Sequence, residues 1–367
     1  MSIFFTGATG HVGSALLPML LEDPEVRVLA LVRAKDDAHL EKRRQELLSW
    51  MPEGTDGARL SLVQGDVSAP GLGLSDRDRD RVLAEATSIV HSAASVRFDM
   101  PEDAATKENM ASTENVLALA TELAERGRLV RHDHVSTCYV AGKRLGRVFE
   151  TECDEGQEFR NSYEWSKCQS EKKVRAAQAA GLPAAIHRPS IIVGDSRTGQ
   201  TRSFNVLYWP LRLYATGWWR FFPGRADTLV DVVPVDYVAR AIAELRRKPD
   251  TTGMCFHLAA GDGCARVEEL VEDFSRLLGK PKLAYIEQGT YIKWVRPVLM
   301  APLSLTKRGQ SIMRGGRAFM PYFTANPLFD TTNARAKLGY DAPHVRGYIE
   351  RIVQYAIETD FGRKQAS

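Results

Sequence analysis

The sequence predicts an α/β fold: a doubly wound parallel sheet followed by a smaller, mainly helical lobe. Three observations carry that expectation. Apolar β-rich runs recur at Ser2 to Thr6, Val26 to Val32, Leu60 to Val63, Ser88 to His91 and Val130 to Val135, separated by helical stretches. That alternation produces parallel strands joined by crossover helices. The first run passes straight into Gly7-Ala8-Thr9-Gly10-His11-Val12-Gly13 and then into the apolar stretch Ala15 to Leu21. A strand, Gly-x-x-Gly-x-x-Gly and a helix, in that order, bring backbone N–H groups and a helix N-terminus against a pyrophosphate, and glycines serve because a Cβ would block the approach. Finally, 367 residues are enough for one large domain with an appended lobe. Pro18 falls inside the first helix and is expected to kink it or shift its effective start.

Composition narrows the partners. The formal net charge is +3, too slight to argue for nucleic acid, and Ser75 to Arg81 alternates in sign as a solvated helix face does. The five cysteines (Cys138, Cys153, Cys168, Cys255, Cys264) form no Cys-x-x-Cys pair and no metal-ligand spacing, which points to reduced thiols. The chain starts directly on a strand and contains no apolar run long enough to span a bilayer, so a soluble, cytoplasmic protein is expected. There are no internal repeats and no low-complexity segment.

Strand ends carry the next signals. The second run ends at Arg33, where an acid favours a free ribose 2′-hydroxyl and a cation favours a 2′-phosphate, so Arg33 points to NADPH; Arg43, with Lys42 and Arg44, could add charge or form a solvated face. Asp66 and Val67 follow the third run, and Ser92, Ala93 and Ala94 the fourth, where an adenine and ribose would rest. His91 reads as a packed strand residue. A helix from about Ala104 to Arg126 carries Asn109, and the fifth run ends in Ser136-Thr137. Tyr163 and Lys167 are four apart on the next helix and share one face. An ammonium there would favour the phenolate, making the tyrosine a better proton-transfer group near neutrality.

The turn TGATGHVG, the pair Ser136-Thr137 and the Tyr163/Lys167 helix resemble an extended short-chain dehydrogenase/reductase. LVRAKDDAH, GDVSAPGLGLSD, HVSTCYVAG, DEGQEFRNSYEWSK and HRPSIIVGDSRTG narrow the resemblance to the thioester-reductase branch, as in fatty acyl-CoA reductases and the reductase domains of carboxylic acid reductases and nonribosomal peptide synthetases. It covers residue 1 to about 245. The resemblance implies a Rossmann-type core, a nicotinamide cofactor and a Thr137, Tyr163, Lys167 catalytic group, with Ser136 as the fallback hydroxyl. It also implies that Gly7, Thr9, Gly10, His11, Val12, Gly13 and Asn109 serve the cofactor, and that Pro189, Ser190 and Ile192 line the nicotinamide carboxamide. Ser112 departs from the glycine that many relatives carry in the helix after Asn109, which puts nothing catalytic in doubt. The expected division is a core at 1–200, with 228–258 returning to the sheet, and a substrate lobe at 201–227 and 259–367.

Beyond the core, twelve apolar and aromatic residues crowd positions 204 to 222, among them Trp209, Trp218 and Trp219. They are either the wall of an acyl tunnel or filling between lobes. Tyr291 to Leu305 is apolar but broken by Pro297 and Pro302, and could be a lid, a peripheral membrane contact or ordinary packing. Lys307, Arg308, Arg314 and Arg317 could meet coenzyme A phosphates, an acidic carrier protein, or only water. The expected function is NADPH-dependent reduction of an acyl-CoA or acyl-carrier-protein thioester to an aldehyde, with reduction on to the alcohol left open. The alternatives are an extended reductase acting on a hydroxysteroid or nucleotide sugar, and a non-catalytic NADPH-binding protein.

Overall fold

The computed structural model describes residues 1–96, 101, 106–217, 219, 221–291, 293, 306–324 and 327–363. Seven strands form the central sheet: β1 (Ser2–Thr6), β2 (Arg27–Val32), β3 (Leu60–Gln64), β4 (Ser88–His91), β5 (Arg131–Val135), β6 (Ala184–Pro189) and β7 (Cys255–Leu258). Their order is β7-β6-β5-β4-β1-β2-β3, and every neighbouring pair is parallel. The chain runs outward from β1 to β3 and then returns to place β4 on the other side of β1. That reversal opens a crevice at the carboxyl ends of β1 and β4, where ligands of such sheets bind.

Both faces of the sheet are covered, so the middle of β1, Ile3 to Phe5, is apolar on both sides yet still alternates. Ile3 and Phe5 enter the core shared with α1 (His11–Leu20), while Phe4 enters the opposite core with Val82, Leu83, Val116 and Leu119. Side-chain caps start α2 (Asp37–Leu48) and α3 (Asp76–Glu85), where Asp36 accepts from the His39 N–H and Ser75 from the Asp78 N–H. Pro18 lies within α1, and the helix ends two residues beyond it, at Leu20. Of the helix expected from about Ala104 to Arg126, residues 104 and 105 lie outside the described residues, and the rest is a π turn at Thr106–Met110 followed by α4 (Ala111–Glu125). Asn161 caps α5 (Ser162–Ala179) by accepting from the Glu164 N–H.

The expected strand from Leu229 to Val233 is not a member of the main sheet. Leu229–Val230 pairs antiparallel with Ala265–Arg266, and Val232–Pro234 pairs parallel with Ile191–Val193, the chain turning between the two at Asp231. Asp231 is buried there and accepts from the Ala260 and Gly261 N–H groups. The aromatic run mostly fills a core: Tyr208, Leu211 and Tyr214 of α6 (Tyr208–Ala215) and Phe222 are buried together with Tyr348, Ile349 and Ile352 of the last turn and helix. Trp218, residue 292, residues 294–305 and the side chains of Lys307, Arg308 and Arg317 lie outside the described residues. Arg314 is exposed on the helix Lys307–Phe319. Among the described residues, no helix is long and apolar enough to cross a membrane, and no His/Cys/Asp/Glu group could hold a metal ion.

Candidate functional site

The three glycines of the first turn do different work. Gly7 has φ +84°, and a Cβ there would lie 2.5 Å from the Ala93 nitrogen; a Cβ on Gly13 would lie 2.0 Å from the Gly7 carbonyl oxygen. These two let β1, α1 and the end of β4 close on one another. A Cβ on Gly10 meets only the Gly7 oxygen, at 3.2 Å. Gly10 is also the N-cap of α1 and offers no side-chain cap, and the first turn holds no acid. A helix N-terminus left open in this way suits an anion. Gly13→Ala is therefore expected to destabilise the fold by about 1–3 kcal/mol through backbone overpacking, measured by denaturant unfolding. Gly10→Ala is expected to keep its stability and lose cofactor affinity.

Beside that turn opens a cavity of about 240 Å³. It gathers Gly10, His11 and Val12 from the turn, Ser92 and Ala94 from beyond β4, Ser136 and Thr137 from beyond β5, Tyr163 and Lys167 from α5, and Pro189, Ser190 and Ile192 from the end of β6 and the residues after it. Tyr139, which lies within HVSTCYVAG, Val206 of the apolar run at 204–222, and Ser203, Asn205 and Tyr322, which no motif or spacing marks, also line it. Val206 is held at φ 38°, a strained conformation for a β-branched residue.

The remaining expected site residues do not line this cavity. Gly7 and Gly13 lie inside the turn, and Thr9 lies in the turn between Gly7 and Gly10. Ala93 backs Gly7. Arg33 forms an ion pair with Asp66 at 3.2 Å, at the ends of β2 and β3, and Arg43 lies on α2. Val67 packs against the core, and its carbonyl accepts from Asn115. Asn109 is buried as a brace: its amide donates to the Ser95 carbonyl at 3.2 Å and to Ser166 Oγ at 3.0 Å, and its Oδ1 accepts from the Ser95 N–H at 2.8 Å. It thus ties the loop after β4 to the helix carrying Tyr163. His91 is also structural, its Nδ1 lying 2.7 Å from Thr6 Oγ1.

Thr137 and Ser136 separate cleanly. The Thr137 hydroxyl is hydrogen-bonded to the Tyr163 phenol, and it also makes a long bond to the Pro189 carbonyl at 3.3 Å and accepts from the Tyr139 N–H at 3.2 Å. The Ser136 hydroxyl instead donates to the Glu171 carboxylate at 2.7 Å, turned into a buried network with Arg188. Burial pushes Tyr163 up to about 12, against the lowering effect of Thr137. The sequence-based expectation that Lys167 holds the tyrosine toward its phenolate is thereby corrected. Burial outweighs any such pull, and the Lys167 Nζ donates to the Val135 carbonyl at 2.8 Å. Burial also draws Lys167 itself down to about 8, with Glu171 opposing. His11 is drawn down to about 4 by burial, its Nε2 lying 3.2 Å from the Val193 carbonyl. The next residue along α5, Glu164, is buried beside Arg160 and hydrogen-bonded to Tyr322, whose hydroxyl accepts from Asn161 at 2.9 Å.

Known proteins resemble this chain in sequence and in overall fold. Residues 5–242 match the family model described as Male sterility protein, an NAD-binding family. The chain is 30% identical over 310 residues to the non-canonical nonribosomal peptide synthetase cpsA of Aspergillus campestris, covering 80% of this chain and 29% of that protein. It is 29% identical over 276 residues to fatty acyl-CoA reductase wat of Drosophila melanogaster, covering 65% of this chain and 53% of that protein. The chain thus spans about half or less of the length of these relatives. Among solved structures, the terminal R domain from the myxalamid PKS-NRPS biosynthetic pathway superposes with a TM-score of 0.86 at 27% identity, covering 100% of this chain and 92% of that one. With the parallel sheet and the glycine turn on which it opens, these matches establish that the chain belongs to the Male sterility protein NAD-binding family, within the thioester-reductase branch of the extended short-chain dehydrogenases/reductases.

Proposed function

We propose that this protein uses NADPH to reduce an acyl thioester, carried on coenzyme A or a carrier protein, to an aldehyde. The observation that carries this reading is the Thr137–Tyr163 hydrogen bond in one cavity with Lys167 and the open N-terminus of α1. Those residues fit a dinucleotide: Gly10, His11 and Val12 would face its pyrophosphate, Lys167 its nicotinamide ribose, and Pro189, Ser190 and Ile192 its carboxamide. Bound NADPH supplies the hydride.

The chain's own groups do the rest. As the carbonyl carbon is reduced, negative charge develops on its oxygen, and the Thr137 and Tyr163 O–H groups donate to it. A tyrosine at about 12 is fully protonated at neutral pH, so it serves as the acid that gives the oxygen its proton. The resulting hemithioacetal loses thiolate as its C–S bond breaks and its hydroxyl proton leaves, giving aldehyde and free thiol. Residues 1–200 and 228–258 would hold the cofactor, and 201–227 with 259–367 the acyl chain. The peptide synthetase and acyl-CoA reductase relatives support carrier-bound and CoA thioesters respectively.

The test is purified protein with NADPH and a series of acyl-CoA and acyl-carrier thioesters, following loss of reduced-nicotinamide absorbance and trapping the aldehyde. Consumption with at least one thioester is expected, and none with any of them overturns the reading. A pH profile adds a second check. Because burial lowers Lys167 to about 8, its ammonium is present below that pH and lost above it. The rate is expected to fall as pH rises through about 8, and Lys167→Arg to move that limb upward. Stability runs the other way. The unfolded chain keeps this proton up to 10.5, so between about 8 and 10.5 the folded state binds fewer protons and gains stability from this group as pH rises.

A further inference from the structure

Arg202 opens the loop by which the chain leaves its nucleotide-binding core, and it reaches back to the core's first turn. Its Nη1 donates to the Thr9 carbonyl at 3.3 Å. Its guanidinium sits 4.0 Å from the centre of the Trp50 ring. Trp50 is 56% exposed and stands just past α2, the helix that carries Arg43. An exposed ring under a guanidinium fixes the plane of that cation and leaves its N–H edge free for a planar or tetrahedral anion.

The charges around the turn are arranged for such an anion. Arg33 is paired with Asp66 at 3.2 Å in an exposed ion pair, so a cation at the end of β2 divides its charge between that carboxylate and a 2′-phosphate. Arg43 keeps a buried Nε with no hydrogen-bond partner. Burial, and after it the like charge of Arg43, draws Arg202 below its ordinary value, while Glu46 acts in the other direction. Two guanidiniums within each other's field repel. A phosphate between them converts that repulsion into two charge-assisted attractions.

We propose that Arg202, together with Arg43, clasps the 2′-phosphate of NADPH beside the glycine turn, with Trp50 as the platform that orients it. Preference for NADPH over NADH then depends on a residue outside the expected core, in a loop that also supplies Ser203, Asn205 and Val206 to the catalytic cavity. This rests on the NADPH-dependent reading given above, and the experiment separates the two.

Calorimetric titration of the full chain with 2′,5′-ADP and with 5′-AMP reads the 2′-phosphate contact without turnover. Wild type is expected to bind 2′,5′-ADP the more tightly. Arg202→Met is expected to weaken 2′,5′-ADP about 10- to 100-fold, the worth of a hydrogen bond to a charged group, and 5′-AMP by less than about threefold. Trp50→Ala should move 2′,5′-ADP in the same direction by a smaller factor, and Arg202→Lys should recover part of the loss. Unchanged 2′,5′-ADP binding in both Arg202→Met and Trp50→Ala, or equal losses for the two ligands, overturns the clasp while leaving the NADPH reading intact. Equal binding of the two ligands by wild type overturns the NADPH reading and the clasp with it.

Discussion

Tyr163→Phe is expected to lower turnover of an acyl thioester about 10²- to 10⁴-fold, the usual range for loss of a general acid, while cofactor binding stays near wild type. The reason is geometric. The ring remains packed on α5, the glycine turn is untouched, and only the hydroxyl that meets Thr137 is removed. Thr137→Ala should cost less, since one donor of two survives, and Thr137→Ser should recover much of the activity. Ser136→Ala should leave chemistry largely intact, because that hydroxyl is committed to Glu171. Steady-state rates with one thioester, alongside NADPH titration of each variant, check all four. Undiminished turnover by Tyr163→Phe would remove the phenol from the mechanism, and a Ser136→Ala defect as large as that of Thr137→Ala would exchange the two hydroxyls.

Arg188→Met is expected to be the most destabilising single change, by about 3–5 kcal/mol, because it leaves a buried carboxylate short of its main partner. Arg188 and Glu171 are both fully buried; Arg188 Nε donates to Glu171 Oε2 at 2.8 Å, and Arg175 Nε to Oε1, also at 2.8 Å. Arg188 also spends Nη2 on the Glu152 carbonyl at 2.6 Å, with Nη1 3.0 Å from His257 Nε2. Burial alone would push the Glu171 carboxyl up, but Arg188 and then Arg175 reverse this and hold it at about 2. The folded value lies below the unfolded 4.5, so this group stabilises fully above about 4.5, and that share is lost as pH falls toward 2. Urea midpoints between pH 7 and pH 3 read both effects. The wild type should weaken on acidification, and Arg188→Met should begin weaker and show a smaller acid dependence. Since Ser136 hangs on the same carboxylate, the variant should also lose activity through displacement of the adjacent Thr137. An Arg188→Met chain as stable as wild type would mean that the network adds nothing to folding.

How far the site could be read in advance depended on how local each signal was. Tyr163 and Lys167 were legible because a helix turns spacing directly into a shared face. The hydroxyl was legible only as a pair: nothing local distinguishes Ser136 from Thr137, and the choice is made by Glu171, which lies 35 residues on and takes the serine. Arg33 was legible as a strand-end cation, but not its ion pair with Asp66, two residues past the end of the neighbouring strand. The run Leu229 to Val233 read as one strand, and its division depends on two separate partners, Ala265–Arg266 and Ile191–Val193.

By itself, the order of residues determined the parallel sheet, the glycine turn on its first strand and the tyrosine–lysine helix, since each rests on spacing within about twenty positions and on local propensity and burial. Tertiary structure alone decided which hydroxyl meets the phenol, that Asn109 ties the loop after β4 to the helix of Tyr163, and that Arg202 returns across 193 positions to the Thr9 carbonyl. Such contacts form only when the sheet closes, because the free energy of a buried hydrogen bond or a stacked guanidinium comes from groups that burial brings together and sequence distance conceals.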